Sequence, residues 1–131
     1  MAPRLQKIMC IDDEPDILDI VKICLEAGGG YEVVTCSSGK EVLDQIGDIK
    51  PDLVLLDILI PAMDGVTIFG KLRGYSSLKA VPIIFITAMV QPKEVSTYIE
   101  IGAAGVIMKP FDPMKLPAEV ESLWKSFHDR Q

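Results

Sequence analysis

Carboxylate side chains stand at two points where a short run of apolar residues ends. Ile8-Met9-Cys10-Ile11 is followed by Asp12, Asp13 and Glu14, and Leu53-Val54-Leu55-Leu56 is followed by Asp57. Short, unbroken apolar runs are typical of strands that are buried on both faces of a parallel sheet. Asp57 is therefore predicted at the carboxyl end of a central strand, where open α/β sheets place their chemistry. The alternative is a solvated aspartate that merely ends a strand.

Two further apolar runs end on other functional groups. Pro82-Ile83-Ile84-Phe85-Ile86 ends on the hydroxyl of Thr87, and Gly105-Val106-Ile107-Met108 ends on the amine of Lys109. The carboxyl ends of parallel strands lie along one edge of a sheet, so we expect side chains from distant parts of the chain to converge there. Each polar strand end is weak evidence alone, but a set that combines acids, a hydroxyl and an ammonium indicates a site.

This combination of groups favours a metal together with a phosphoryl group. Three carboxylates at ~5 Å repel one another by roughly 3 kcal/mol for each pair at an effective dielectric of ~20. A dication removes that repulsion, and hard oxygen ligands favour Mg²⁺ over Zn²⁺. A metal alone needs neither Lys109 nor Thr87, but an anion held between metal, ammonium and hydroxyl needs both. As the central carboxylate, Asp57 is the best nucleophile, and its predicted product is an aspartyl phosphate.

The elements that must position these groups alternate along the whole chain. Beyond the four strands above, the patterns predict a strand over Tyr31–Cys36 and helices that begin at Pro15, after Ser38, near Val66, at Pro92 and near Leu116. The spacing of Ser38 and Glu41 is that of a capping box, and Gly28-Gly29-Gly30 ends the first helix. The pattern is (βα)5, which predicts an α/β fold: a doubly wound five-stranded parallel sheet in a three-layer α/β/α arrangement.

Composition narrows the function classes. The chain has 131 residues, the size of one domain, with a net charge of −6 and no basic cluster, which argues against direct nucleic-acid binding. An odd number of cysteines without a C-x-x-C pair indicates reduced thiols in a cytoplasmic protein. No apolar run approaches the ~18 residues of a membrane span, and the first residues lack a signal-peptide core. His128 is expected to be a solvated residue at the end of the last helix.

With these residues in place, the chain resembles the receiver domain of two-component response regulators over essentially its whole length. The matching positions are the acidic pair Asp12-Asp13, the phosphoacceptor Asp57, the switch hydroxyl Thr87, the Lys109-Pro110 motif, and Pro61 and Gly65 in the turn after the phosphoacceptor. The resemblance implies the flavodoxin-like strand order 2-1-3-4-5. It also implies a cis bond between Lys109 and Pro110.

The resemblance further implies a ligand set. Mg²⁺, with Mn²⁺ as a substitute, would be held by Asp13, Asp57 and the main-chain carbonyl of Leu59, with Asp12 helping through water. The phosphoryl group would contact Thr87, Ala88 and Lys109. The phosphodonor would be a sensor histidine kinase or a histidine phosphotransfer protein. Such a domain is a switch and not a turnover enzyme, with at most self-catalysed phosphorylation and slow autodephosphorylation.

The resemblance also implies an output surface, made by the fourth helix, the fifth strand and the last helix. That face would contact an output target or form a homodimer. We expect residues 1–131 to be a single receiver domain without an effector domain. A stand-alone regulator and a receiver from a longer chain both fit the sequence.

Three positions depart from the family pattern. Many receivers carry Tyr or Phe where this chain has Val106, and that ring turns inward when the threonine engages the phosphoryl group. Val106 cannot make that movement, and we interpret it as a strand residue that covers the sheet edge. Switching would then rely on Thr87 and on the loop of Ala88, Met89 and Val90. Leu59 and Met89 are bulky and apolar, and our hypothesis is that they hinder the hydrolytic water and lengthen the phosphoryl lifetime.

The same residues argue against three other functions. A haloacid-dehalogenase-type phosphatase needs a second acid two residues after its nucleophile, where this chain has Leu59. A flavodoxin-like FMN binder needs a phosphate loop after the first strand, and the acidic run from Asp12 to Glu14 would repel a phosphate. A dinucleotide enzyme would carry G-x-G-x-x-G after a strand, and the sequence has none.

Overall fold

The computed structural model describes residues 4–58, 64–88 and 91–129. In these residues strands and helices alternate in the order β1 (Lys7–Ile11), α1 (Pro15–Gly29), β2 (Glu32–Cys36), α2 (Gly39–Ile49), β3 (Leu53–Asp57), α3 (Gly65–Arg73), β4 (Ile83–Ala88), α4 (Pro92–Glu100), β5 (Gly105–Lys109) and α5 (Leu116–Asp129). A short 3-10 turn, Ser76–Leu78, lies between α3 and β4. The predicted (βα)5 alternation is confirmed.

The five strands form one parallel sheet in the order β2-β1-β3-β4-β5. This is the order that the resemblance implied. Where β3 pairs with β4, Asp57 lies opposite Ile86, and this is the last pair of the two strands. Thr87 is the next residue of β4 after that pair. Thr87 in turn lies opposite Met108 of β5, immediately before Lys109. The register therefore brings the polar ends of β3, β4 and β5 to one edge.

The apolar runs of β1, β3 and β4 form strands that are covered on both faces. Leu53 and Leu55 of β3 pack in a cluster with α1 and α5, whereas Val54 and Leu56 pack in a second cluster with α2 and α3. Successive side chains of a strand point to opposite faces, so a strand between two layers of helices must be apolar at every position. All five residues of β3 are buried, and the only polar one is Asp57 at its end.

Local signals begin and end the helices as the sequence predicted. Ser38 Oγ accepts a hydrogen bond from the Glu41 N–H at 3.1 Å, which caps α2. Gly30 has φ +73° and ends α1 in the left-handed conformation that favours glycine. The capping box itself is only half formed, because the Glu41 carboxylate accepts from the N–H and Oγ of Ser37 and not from Ser38.

Two sequence-based expectations differ from the structure. The strand predicted from Tyr31 begins at Glu32, because the Tyr31 N–H still bonds the Leu25 carbonyl at the end of α1. The prediction of a solvated His128 is wrong: its ring packs against Trp124, with centroids 4.0 Å apart. Residues four apart share one face of a helix, so the tryptophan one turn earlier covers the imidazole.

Candidate functional site

Side chains from three strand ends meet at the carboxyl edge of the sheet. Lys109 Nζ lies 2.7 Å from Asp12 Oδ2 and 3.1 Å from Asp57 Oδ2. Asp12 follows β1, Asp57 ends β3 and Lys109 ends β5, so the strand order brings residues almost a hundred positions apart into direct contact. Both aspartates are buried, with 2% and 4% of their side-chain surfaces exposed. An ammonium held between two buried carboxylates is the central feature of this edge.

The start of α3 lies directly against the end of β3. The Gly65 N–H donates to the Ile58 carbonyl at 2.8 Å. A Cβ at position 65 would lie 2.5 Å from the Asp57 carbonyl oxygen and 2.6 Å from the Ile58 Cα. Only glycine allows α3 to begin this close to the end of β3. Asp64 caps the helix by accepting from the Thr67 N–H at 2.9 Å, which fixes where α3 starts.

Four carboxylates surround the site and can supply oxygens to one cation. The ligand oxygens of Asp12, Asp13, Glu14 and Asp57 all lie within 4.8 Å of one another. Oxygen donors in this number suit a hard divalent ion. The cluster could hold a metal, since the Lys109 ammonium pairs with three of its four carboxylates and an excess of negative charge remains. The Glu14 N–H also donates to Asp12 Oδ1 at 2.9 Å, which orients the buried carboxylate.

Glu14 is the member of this cluster that sequence reasoning did not assign to the site. Its carboxylate lies 3.6 Å from Lys109 Nζ, although 60% of its side chain is exposed. Its place in the acidic run directly after the first strand was the signal that could have identified it. Glu14 therefore adds a solvent-facing charge to the three carboxylates that were predicted.

The surrounding charges keep the lysine protonated. Burial by itself lowers the pKa of Lys109, but the hydrogen bonds and negative charges of Asp12 and Asp57 outweigh burial, so the pKa lies above the usual lysine value. Burial also raises the pKa of the Cys10 thiol, and the charge of Asp12 raises it further. Cys10 is thus a neutral core residue beneath the site and not a nucleophile.

The other predicted positions lie around this centre. Thr87 is buried at the end of β4, and Ala88 beside it is exposed. The bond between Lys109 and Pro110 is cis, as the resemblance implied. Val106 is half-buried in β5 and packs against the core cluster beneath α4. Four residues that entered the predictions lie outside the described residues: Leu59, Pro61, Met89 and Val90.

Comparison with known proteins assigns the family. Residues 8–121 match the response regulator receiver domain family. The chain belongs to this family, and it is a receiver domain of two-component response regulators, a class of signalling switches. The chemotaxis response regulator CheY4 of Vibrio cholerae has a similar structure, with a TM-score of 0.84, 28% identity, and coverage of 92% of this chain and 99% of that one.

Relatives by sequence are longer regulators. The DNA-binding response regulator MtrA of Mycolicibacterium smegmatis is 35% identical over 122 residues, which are 93% of this chain and 52% of MtrA. The alkaline phosphatase synthesis transcriptional regulatory protein PhoP of Bacillus subtilis is 34% identical over 90% of this chain and 48% of PhoP. The chain thus spans about half the length of these curated relatives. Within the described residues, no helix has both the length and the apolar character to cross a membrane.

Proposed function

We propose that Asp57 accepts a phosphoryl group and that this modification switches the signalling state of the domain. The observation that carries the proposal is the buried Asp57 carboxylate, held 3.1 Å from the Lys109 ammonium within a cluster of carboxylates. A buried strand-end aspartate with an adjacent cation is suited to covalent capture of an anion. Its carboxylate accepts a hydrogen bond from Lys109, and the same ammonium can neutralise the oxygens that arrive.

Mg²⁺ is the proposed cofactor, with Mn²⁺ as a substitute. Asp13 and Asp57 would hold it directly together with the main-chain carbonyl of Leu59, and Asp12 would bind it through water. The donor set fits because every side-chain ligand is a carboxylate oxygen and the ligand atoms lie within 4.8 Å of one another. When bound, the ion supplies charge neutralisation for the incoming phosphoryl oxygens. The same cation would also relieve repulsion among the carboxylates.

The chain's own residues have distinct parts in the transfer. An Asp57 oxygen attacks the phosphorus in line, the bond from phosphorus to the donor's leaving group breaks, and that group departs on the opposite side. Lys109 exchanges part of its contact with Asp12 and Asp57 for the phosphoryl oxygens. Thr87 donates its hydroxyl to one of these oxygens, and the small side chain of Ala88 leaves them accessible.

The proposed donors are a phosphohistidine on a sensor histidine kinase and one on a histidine phosphotransfer protein. We propose a switch with only self-catalysed phosphorylation and slow autodephosphorylation, in which α4, β5 and α5 form the face that contacts an output target or a second copy.

The named relatives include DNA-binding regulators. We assign no nucleic-acid contact to this domain, since its net charge is −6 and phosphate binding needs clustered Lys and Arg.

The test is incubation with acetyl phosphate and Mg²⁺ followed by intact-mass measurement. We expect one phosphoryl adduct in the wild type, no adduct in Asp57→Asn, and an unchanged adduct in Asp44→Asn, which alters an exposed carboxylate of α2. An adduct that persists in Asp57→Asn, or none in the wild type, contradicts the proposal.

The metal is tested separately by its effect on stability. A ligand that binds only the folded state raises the melting temperature. Mg²⁺ should therefore stabilise the wild type and Asp44→Asn equally, and Asp13→Asn should lose most of the rise. Equal stabilisation of all three proteins would place the ion elsewhere.

A further inference from the structure

Helix α4 is held to the sheet more loosely than the other helices. Each of the other four α-helices has at least three buried residues, whereas none of the residues of α4 is buried. The two side chains of α4 that are half-buried are Val95 and Tyr98. Of these, Tyr98 packs against the core cluster that lies on the α2 and α3 face of the sheet. A helix attached through so few side chains can shift without opening the core.

The contact that Tyr98 makes is aromatic and specific. Its ring lies edge-on to Phe85 of β4, with centroids 5.2 Å apart and planes at 74°. Phe85 is fully buried and also contacts Phe69 of α3, with ring centroids 5.6 Å apart. Phe85 therefore connects a fixed helix to a loosely held one.

Phe85 is also the nearest residue of β4 on the same face as Thr87. Side chains two apart in a strand point to the same side of the sheet, so Thr87 and Phe85 share the face on which Tyr98 packs. Across the strand pair, Phe85 lies opposite Val106 of β5. Val106 packs against the same cluster as Tyr98. Because the side chain of Val106 is short, the ring of Tyr98 from α4 packs on Phe85.

We infer that Tyr98 is the positioning residue that couples Thr87 to α4 in this chain. The inference rests on the proposed function, because it takes engagement of Thr87 by the phosphoryl group as the event that starts the change. Movement at the end of β4 displaces Phe85, and the edge contact carries the displacement to Tyr98 and its helix. The aromatic element of the switch is thus on α4, and β5 contributes Val106 as the small surface that makes room for it.

The coupling has a local reporter. Ile99 and Ile101 follow Tyr98 directly, and both are exposed apolar residues, at 38% and 44%. Neither residue belongs to the carboxylate cluster; Ile99 lies on α4 and Ile101 directly follows it, so their methyl signals report on the helix. A rearrangement of α4 would change how these two side chains are presented to a partner.

The experiment measures the isoleucine methyl NMR signals of the full chain with and without beryllofluoride and Mg²⁺, together with the acetyl phosphate adduct of each variant. In the wild type, we expect the Ile99 and Ile101 signals to shift. In Tyr98→Ala, we expect the adduct to form at the wild-type level and the two shifts to be lost. Tyr98→Phe keeps the ring and should keep the shifts. Tyr75→Ala, which removes a tyrosine that is 41% exposed, serves as the matched control and should behave like the wild type.

The outcomes separate the two claims. Wild-type shifts in a Tyr98→Ala protein that carries the adduct overturn the role of Tyr98 and leave the proposed function intact. Absence of an adduct in the wild type overturns the proposed function and this inference with it, whereas an adduct without methyl shifts in the wild type overturns this inference alone. If Tyr98→Ala does not fold, Tyr98→Leu keeps an apolar side chain of similar bulk without the ring, and retained shifts in that variant overturn the inference.

Discussion

Replacing Lys109 by methionine tests the ion-pair arrangement at the centre of the site. The ammonium lies 2.7 Å from Asp12 and 3.1 Å from Asp57, and its side chain is only 12% exposed. At an effective dielectric of ~20 these two contacts represent gross attractions of roughly 6 and 5 kcal/mol. Burial of the charges offsets much of that attraction, and removal of one partner from a buried pair typically costs about 3–5 kcal/mol.

We expect Lys109→Met to lower the free energy of unfolding by about 3 kcal/mol in metal-free solution, at the lower end of the range for buried pairs. The lower end applies because Asp13 and Glu14 are exposed, so water can reach part of the cluster. Methionine is unbranched and one heavy atom shorter, so it keeps most of the apolar stem and removes the charge and its hydrogen bonds. Urea unfolding followed by circular dichroism gives the difference directly.

Added Mg²⁺ should reverse much of this loss. The lysine and the dication compete for the same carboxylate oxygens, so the variant without the ammonium should gain more stability from saturating Mg²⁺ than the wild type gains. Lys22→Met is the matched control, because Lys22 pairs with Glu26 at 3.1 Å on the surface and should cost no more than about 1 kcal/mol. If Lys109→Met costs no more than Lys22→Met, or gains less from Mg²⁺ than the wild type, the reasoning is refuted.

Three further predictions follow from local geometry. Gly65→Ala should destabilise the fold and slow adduct formation, because its Cβ would lie 2.5 Å from a carbonyl oxygen of β3; unchanged urea unfolding and adduct formation would contradict this. Ser38→Ala should lower the free energy of unfolding by about 1 kcal/mol through loss of the α2 cap, and an unaltered urea midpoint would show that the cap contributes nothing. Iodoacetamide at pH 8 should modify the half-buried Cys24 and spare the buried Cys10 and Cys36. Burial raises the pKa of Cys36 to about 11, so roughly one thiol in a thousand is ionised at that pH; rapid modification of Cys36 in the folded protein, seen by peptide mass, would contradict this.

Much of the fold was readable because its strands lie between two layers of helices. That arrangement makes β3 an unbroken apolar run with a charged last residue, and the structure has both β3 and β5 at the predicted bounds, Leu53–Asp57 and Gly105–Lys109. The sequence also predicted that Asp12, Asp57 and Lys109 lie at one edge of the sheet. The period of the apolar residues determines which side chains share a face, and the parallel arrangement of the strands places their carboxyl ends at one edge.

Side-chain partners were harder to predict, since periodicity does not fix where a long side chain ends. The sequence suggested that Lys109 serves a phosphoryl group, whereas the structure shows it bonded to Asp12 and Asp57. Glu14 was part of the acidic run, but only the structure shows its carboxylate 3.6 Å from the same ammonium. The edge contact between Tyr98 and Phe85 depends on how α4 lies over the sheet. These contacts depend on packing between elements, which local sequence does not encode.

The central claim is that Asp57 carries the phosphoryl group, and chemical trapping tests it most directly. Sodium borohydride reduces an aspartyl phosphate to homoserine, so protein treated with acetyl phosphate and Mg²⁺ can be reduced, digested and mapped by tandem mass spectrometry. We predict homoserine at position 57 and unmodified aspartate at positions 12 and 13. Homoserine at either of those positions, or at none, would contradict the account.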